Sequence, residues 1–334
     1  MRCKTNSYFA AIDIAKIVLA VLVVTIHTHL FPEVLNPLAR TAVPLFFMFS
    51  AFFFFCGDRN IKKVWVRNLR LYGIWFLILL PITLKIRGYF AFGFLRGILT
   101  LLHNFIFYST FRSSWYIIAL CIALTLVHLA SRIMSNKVLL MISIPIYLLY
   151  CLFSNYYNLL GEFEWWVVFC NKYQKIFVTL CNNFPVAFIW LVLGKMFAEK
   201  EISIPMTSSW VLLLTSSILL IAEHIIVLNY ELAAATDCYI FLIPVCTSVF
   251  SLLHQAECTL SEAPLLRKMS TITYVLHSSA IVLVDVIAVK LLHFSGSVLA
   301  LCEFFGSISI SIAATLVLMY LNGYRVFKWL KWAF

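Results

Sequence analysis

The chain has 334 residues, 63% of them hydrophobic and only 12% charged, with a formal net charge of +11 and a mean hydropathy of +0.98. Soluble domains carry about a quarter charged residues, so this composition excludes an ordinary soluble enzyme and predicts a polytopic membrane protein. The basic residues are scattered between apolar runs without the aromatic-interleaved stripe of a nucleic-acid binder, and the ten cysteines show neither CxxC nor Cys/His ligand spacing, so neither nucleic acid nor a metal is expected.

The first apolar run, residues 9–30, holds three polar exceptions: Asp13, Lys16 and His27. On a helix the step from Lys16 to His27 closes about three turns and leaves both on one face roughly 16 Å apart. Asp13 precedes Lys16 by three residues, the separation at which helical side chains are neighbours. Ionisable groups within a span face a bundle interior or an aqueous cavity, so this stripe marks a polar path. A buried Asp13–Lys16 packing pair, with His27 as an interfacial anchor, is the alternative. The run lacks a small-x-small cleavage site and is expected to be retained.

Residues 31–42, with Pro32 and Pro37, read as a short loop before a second span at 43–56. The connection 57–70 carries Arg59, Lys62, Lys63, Arg67 and Arg70, the densest basic cluster in the chain. A third span follows at 71–84. Residues 90–112, broken by Arg96, His103 and Asn104, predict an interfacial amphipathic helix acting as a lid. Spans at 115–130 and 138–153 lead to a polar, aromatic connection at 155–182, in which Cys170 and Cys181 are candidates for a disulfide. Spans at 184–197, 209–228, 239–253, 272–292 and 298–321 complete an all-α integral membrane protein, a single-domain bundle of about ten transmembrane helices. With the amino terminus inside, the inner connections hold twice as many Lys and Arg as the outer ones, which predicts that both termini are cytoplasmic.

Several residues have side chains suited to chemistry. His27 exchanges a proton near neutral pH and suits a general base. Arg67 and Arg70, an i,i+3 pair, form two guanidinium forks able to grip phosphates or a carboxylate, although from charge alone anchoring of topology at the inner end of a span is the stronger explanation. Glu223, His224 and Asp237 are candidates to line an acceptor site or to cap interfacial helix ends. His277 is a candidate binding residue or a helix-packing histidine.

The run IDIAKIVLAVLVVTIH, with Lys16 and His27 in the spacing basic residue, ten residues, His, and with Asp13 before the basic residue, resembles the opening of the membrane-bound acyltransferase-3 family. VPLFFMFSAFFFF resembles the family's second-span motif, RNLR its Arg-x-x-Arg motif, SSWYIIAL with Trp115 and Tyr116 its Trp-aromatic span, and TYVLHSSAI with Tyr274 and His277 its late Tyr-x-x-His segment. Ala51 stands where the family commonly has glycine, and Lys16 where it commonly has arginine. The resemblance implies an O-acetyltransferase of the bacterial cell envelope, multi-pass in the plasma (inner) membrane. Acyl-CoA, foremost acetyl-CoA, would be the cytosolic donor, and a hydroxyl of a cell-surface or exported glycan the acceptor. It carries His27 over as catalytic, Lys16 and Asp13 as its supporting pair, and Arg67 and Arg70 as donor-phosphate binders. Trp115, Tyr116, Glu223, Asp237, Tyr274 and His277 are then the candidate substrate-binding residues.

VPLFFMFSAFFFF, FPVAFIWLVLG and DCYIFLIP also resemble the membrane half of membrane-bound serine racemases. Without the pyridoxal-phosphate domain of those enzymes, racemisation is not expected here. A permease or exporter of a small polar solute such as an amino acid is the rival reading, and a membrane interaction or sensor protein a third.

Overall fold

The computed structural model describes residues 7–91, 93–111 and 114–334. Arg112 of the expected lid, Ser113 of SSWYIIAL, Cys3 and the basic residues Arg2 and Lys4 lie outside the described residues.

All regular secondary structure among the described residues is helical, with no strand. All ten expected spans are helices: α1 (Ser7–Thr28), α3 (Ala42–Cys56), α4 (Ile61–Arg87), α6 (Trp115–Ala130), α7 (Asn136–Phe153), α9 (Phe188–Ala198), α10 (Met206–Asn229), α11 (Leu242–Gln255), α12 (Ala263–Lys290) and α13 (Gly296–Asn322). Seven segments are long and apolar enough to cross a membrane, whereas α6, α9 and α11 are shorter apolar helices packed inside the bundle. Three further helices lie in connections: α2 (Pro32–Ala39), α5 (Phe94–Phe107) and α8 (Glu164–Phe177). Residues 31–42 are therefore not a loop. Pro32 sits in the first turn of α2, where its missing N–H costs no hydrogen bond. The basic stretch 57–70 is likewise mostly helix, because Asn60 caps α4 by accepting a hydrogen bond from the Lys63 amide. The segment expected to be an interfacial lid contains helix α5, flanked by Gly93 and Tyr108. Cys170 and Cys181 are buried free thiols, not a disulfide.

Helix α1 is central, packing on α12, α2, α13, α3 and α11, while α3 lies along α9. The α3–α9 crossing depends on Gly194: a Cβ there would come within 2.3 Å of the Met48 carbonyl oxygen. Helix α3 is buried nearly all round, with Phe47, Phe49, Phe52, Phe54 and Phe55 in the core.

A polar clamp fixes the end of the bundle where α9 finishes. Lys195, only 5% exposed, donates to Glu199 at 2.6 Å and to the Asn136 side chain. Glu199 also accepts from Asn136 at 2.7 Å and pairs with Arg59 at 3.0 Å. Three connections meet at this one carboxylate. The last residues form a 3-10 segment, Arg325–Ala333, that returns beneath α4, where the Trp75 indole donates to the Ala333 carbonyl at 3.0 Å.

Candidate active site

Helices α1 and α12 form the common wall of two cavities near opposite ends of the bundle. The first, of about 340 Å³, is lined by His27, Arg40, Trp115, Tyr274, His277 and Ser278. The second, of about 480 Å³, is lined by Lys16, Ser50, Arg67, Tyr116, Tyr274 and Arg267 among others, and it adjoins a chamber of about 490 Å³ that reaches Asp13, Asp58 and Lys63. Lys16 and His27 thus face different cavities. The helical rise between them separates the two by about three turns while keeping both on the inward face.

At the histidine end, His27 occupies the last turn of α1 with its ring exposed to the cavity, 4.9 Å from the fully buried ring of His277. His277 Nδ1 lies 2.7 Å from the Tyr274 carbonyl oxygen, which can only accept, so Nδ1 carries a proton and donates to it. Arg40 is held by Asp237 at 2.5 Å and by the Asn36 side chain at 3.2 Å.

At the basic end, Lys16 donates to Asp13 at 3.1 Å, and Arg267 approaches the other Asp13 oxygen at 3.9 Å. Asp13 therefore ties α1 to the start of α12. Asp58, beside the adjoining chamber, accepts hydrogen bonds from Lys63 and the Asn60 amide, which hold its carboxyl below the ordinary range.

Between the two ends stands an aromatic septum. Tyr274 lines both cavities and packs against Phe46 and Tyr116 with ring centres 5.8 and 5.5 Å away. Ser50 donates to the Phe46 carbonyl, leaving its oxygen to accept from the Tyr116 hydroxyl at 3.2 Å. The adjacent residues Trp115 and Tyr116 serve opposite sides of the septum, Trp115 the histidine cavity and Tyr116 the basic one.

The remaining candidates lie elsewhere. Arg70 is apart from Arg67, its guanidinium stacked 4.2 Å over the Trp332 ring, where it anchors the terminal segment. Glu223 lines neither cavity; its carboxylate accepts from the Tyr156 hydroxyl and from the Ile240 and Phe241 amides, capping the start of α11. His224 hydrogen-bonds the Tyr239 hydroxyl at 2.7 Å. Asp237 borders only a side pocket and acts on the histidine cavity through Arg40.

Of the polar stripe of α12, sequence reasoning singled out Tyr274 and His277 but missed Arg267, Ser270, Thr271 and Ser278. Arg267, Ser270, Thr271, Tyr274, His277 and Ser278 recur at helical i,i+3 and i,i+4 intervals and line the two cavities in order. That spacing was the available signal.

The site is thus a helical bundle with a polar cavity toward each end and an aromatic septum between them. The chain belongs to the acyltransferase-3 family, whose acyltransferase domain matches residues 9–320. It is also similar to a protein named amino-acid racemase from Enterococcus faecalis, 23% identical over 264 residues, a match covering 74% of this chain and 36% of that protein. The chain thus spans little more than a third of that relative's length. No solved structure matches it.

Proposed function

We propose that this membrane acyltransferase takes its acyl group from acyl-CoA, foremost acetyl-CoA, at the basic cavity and delivers it to a hydroxyl of a cell-surface or exported glycan at His27. In this reading His27 accepts the proton of the acceptor hydroxyl, the resulting oxygen nucleophile attacks the thioester carbonyl, and the C–S bond breaks to release the thiol. His277 and Trp115 flank the acceptor, and Lys16 and Arg67 face the donor. Asp237 steadies Arg40, and Glu223 holds the α10–α11 wall. The observation that carries the reading is Tyr274, which lines both cavities within a septum completed by Phe46 and Tyr116, so a slender thioester arm passing it would bring its carbonyl to His27. The basic asymmetry of the connections supports a plasma-membrane orientation with the cations, and both termini, in the cytoplasm.

Mass spectrometry of surface glycans from cells with and without the protein tests this. An acetyl-sized mass increment present only with the native chain, and absent with His27→Ala at equal membrane level, is the expected result. Unmodified glycans in both strains, together with uptake or efflux of a small solute by the native chain, would favour a permease instead.

A further inference from the structure

The basic cavity holds more positive charge than Arg67 and Lys16 supply. Arg267 and Lys268 enter it from the first turns of α12, and Lys331 from the terminal 3-10 segment, while no carboxylate lines it among the described residues. Asp13 pairs with Lys16 and, at 3.9 Å, approaches Arg267, so one carboxylate stands against five cations and the excess of positive charge suits a polyanionic partner. Two other features specify more than phosphate. The side-chain oxygen of Asn322, the last residue of α13, is buried without a hydrogen-bond partner, and Asn322 lines the same cavity. An unpartnered acceptor gains from a ligand N–H or O–H and is repelled by phosphate oxygens. Phe334 adds an aromatic ring to the wall, with Lys268 Nζ 5.2 Å from its centre. At about 480 Å³ the cavity falls within the 300–1,000 Å³ of small-molecule sites.

We infer that Arg267, Lys268, Lys331, Asn322 and Phe334, together with Arg67, form a nucleotide-phosphate site whose floor is the terminal segment 325–334. Arg70 contributes by holding that floor through Trp332. The inference rests on the proposed acyl-CoA donor and names which part of the donor each residue meets: phosphates at the cations, the base or ribose at Asn322 and Phe334. Arginine and lysine at such a site bind phosphate through charge-assisted hydrogen bonds.

The test is calorimetric titration of the full chain in nanodiscs with adenosine 3′,5′-bisphosphate and, separately, with inorganic pyrophosphate. Arg267→Gln and Lys331→Gln are each expected to weaken nucleotide binding about tenfold, the equivalent of about 1.4 kcal/mol. Arg267→Lys should restore most of the loss, which separates charge from folding. Asn322→Ala is expected to weaken the nucleotide but not pyrophosphate. Unchanged nucleotide affinity in both Arg267→Gln and Lys331→Gln would overturn the site, and equal effects of Asn322→Ala on both probes would overturn its nucleoside half. Acyl transfer is measured on the same preparations. Nucleotide binding that obeys these expectations in a chain without acyl transfer would retain the site and reject the enzyme reading; acyl transfer with nucleotide affinity untouched by the variants would do the reverse.

Discussion

His27 and Lys16 share one stripe of α1 but serve different cavities, so their replacement separates two kinds of loss. His27 is exposed to its cavity and contributes little to packing. His27→Ala and His27→Gln should insert and melt like the native chain while acyl transfer falls about 10²- to 10⁴-fold, the usual contribution of a general base. Lys16→Ala should act chiefly on the donor: it removes the cation hydrogen-bonded to Asp13 and leaves that carboxylate only the longer approach of Arg267. Its KM for acyl-CoA is expected to rise, with Lys16→Arg close to native. Steady-state kinetics at varied acyl-CoA, normalised to inserted protein, check both; a near-normal rate for His27→Ala would remove it from the chemistry.

At the scale of elements, the α3–α9 contact tolerates no side chain at residue 194. Gly194→Ala drives a methyl into the Met48 carbonyl, so α3 must shift and carry Phe46 and Ser50, both at the septum, with it. A thermal melt in detergent should show a loss of about 1–3 kcal/mol, the usual cost of overpacking, and acyl transfer should fall in the same variant.

The clamp at the end of α9 gives a pH signature. Burial alone would raise the Glu199 pKa, but hydrogen bonds from Lys195 and Asn136 and the charges of Lys195 and Arg59 outweigh it and leave the carboxyl below its ordinary 4.5. Its stabilisation is therefore complete above that value and is lost as pH falls through the lowered one. Melting temperature should hold from neutral pH to about pH 5 and decline below it. Glu199→Gln should be less stable at pH 7 by about 1.5–3 kcal/mol and show a shallower acid decline; parallel acid limbs would disprove the assignment.

The ten spans were readable because each is an apolar run of helical length. α2 was not, since two prolines in residues 31–42 signal a loop unless Pro32 is recognised as a first-turn residue. The start of α4 was hidden by its charges, although Asn60 was a readable cap. In the site, Lys16, His27, Tyr274 and His277 could be picked out, but Arg267 fell outside a span begun at residue 272. Lys331 counted only as a topology charge, because nothing local predicts that residues 325–334 fold back under α4. Of the two readings open for Glu223, acceptor-site lining and helix cap, the structure bears out the cap: a buried carboxylate needs donors, and here backbone amides across the bundle supply them.

On the scale of the whole molecule, the septum of Phe46, Tyr116 and Tyr274 has an electrical meaning. Wet cavities approaching from both ends leave little low-dielectric thickness, so most of a membrane potential would drop across these three rings. Each elementary charge that crossed would release about 2.3 kcal/mol per 100 mV, and cells could not sustain a continuous water file at this point. On the proposed mechanism the rings pass an acyl arm while blocking hydronium. Proteoliposomes bearing the native chain should hold an imposed potential without internal acidification, whereas Phe46→Ala combined with Tyr274→Ala should let protons through at a rate set by that potential. Equal tightness of the two preparations would place the insulating layer elsewhere. On the proposed reading the protein is also an insulator, and the bulk of Phe46, Tyr116 and Tyr274 answers to the voltage they withstand as well as to the substrate they admit.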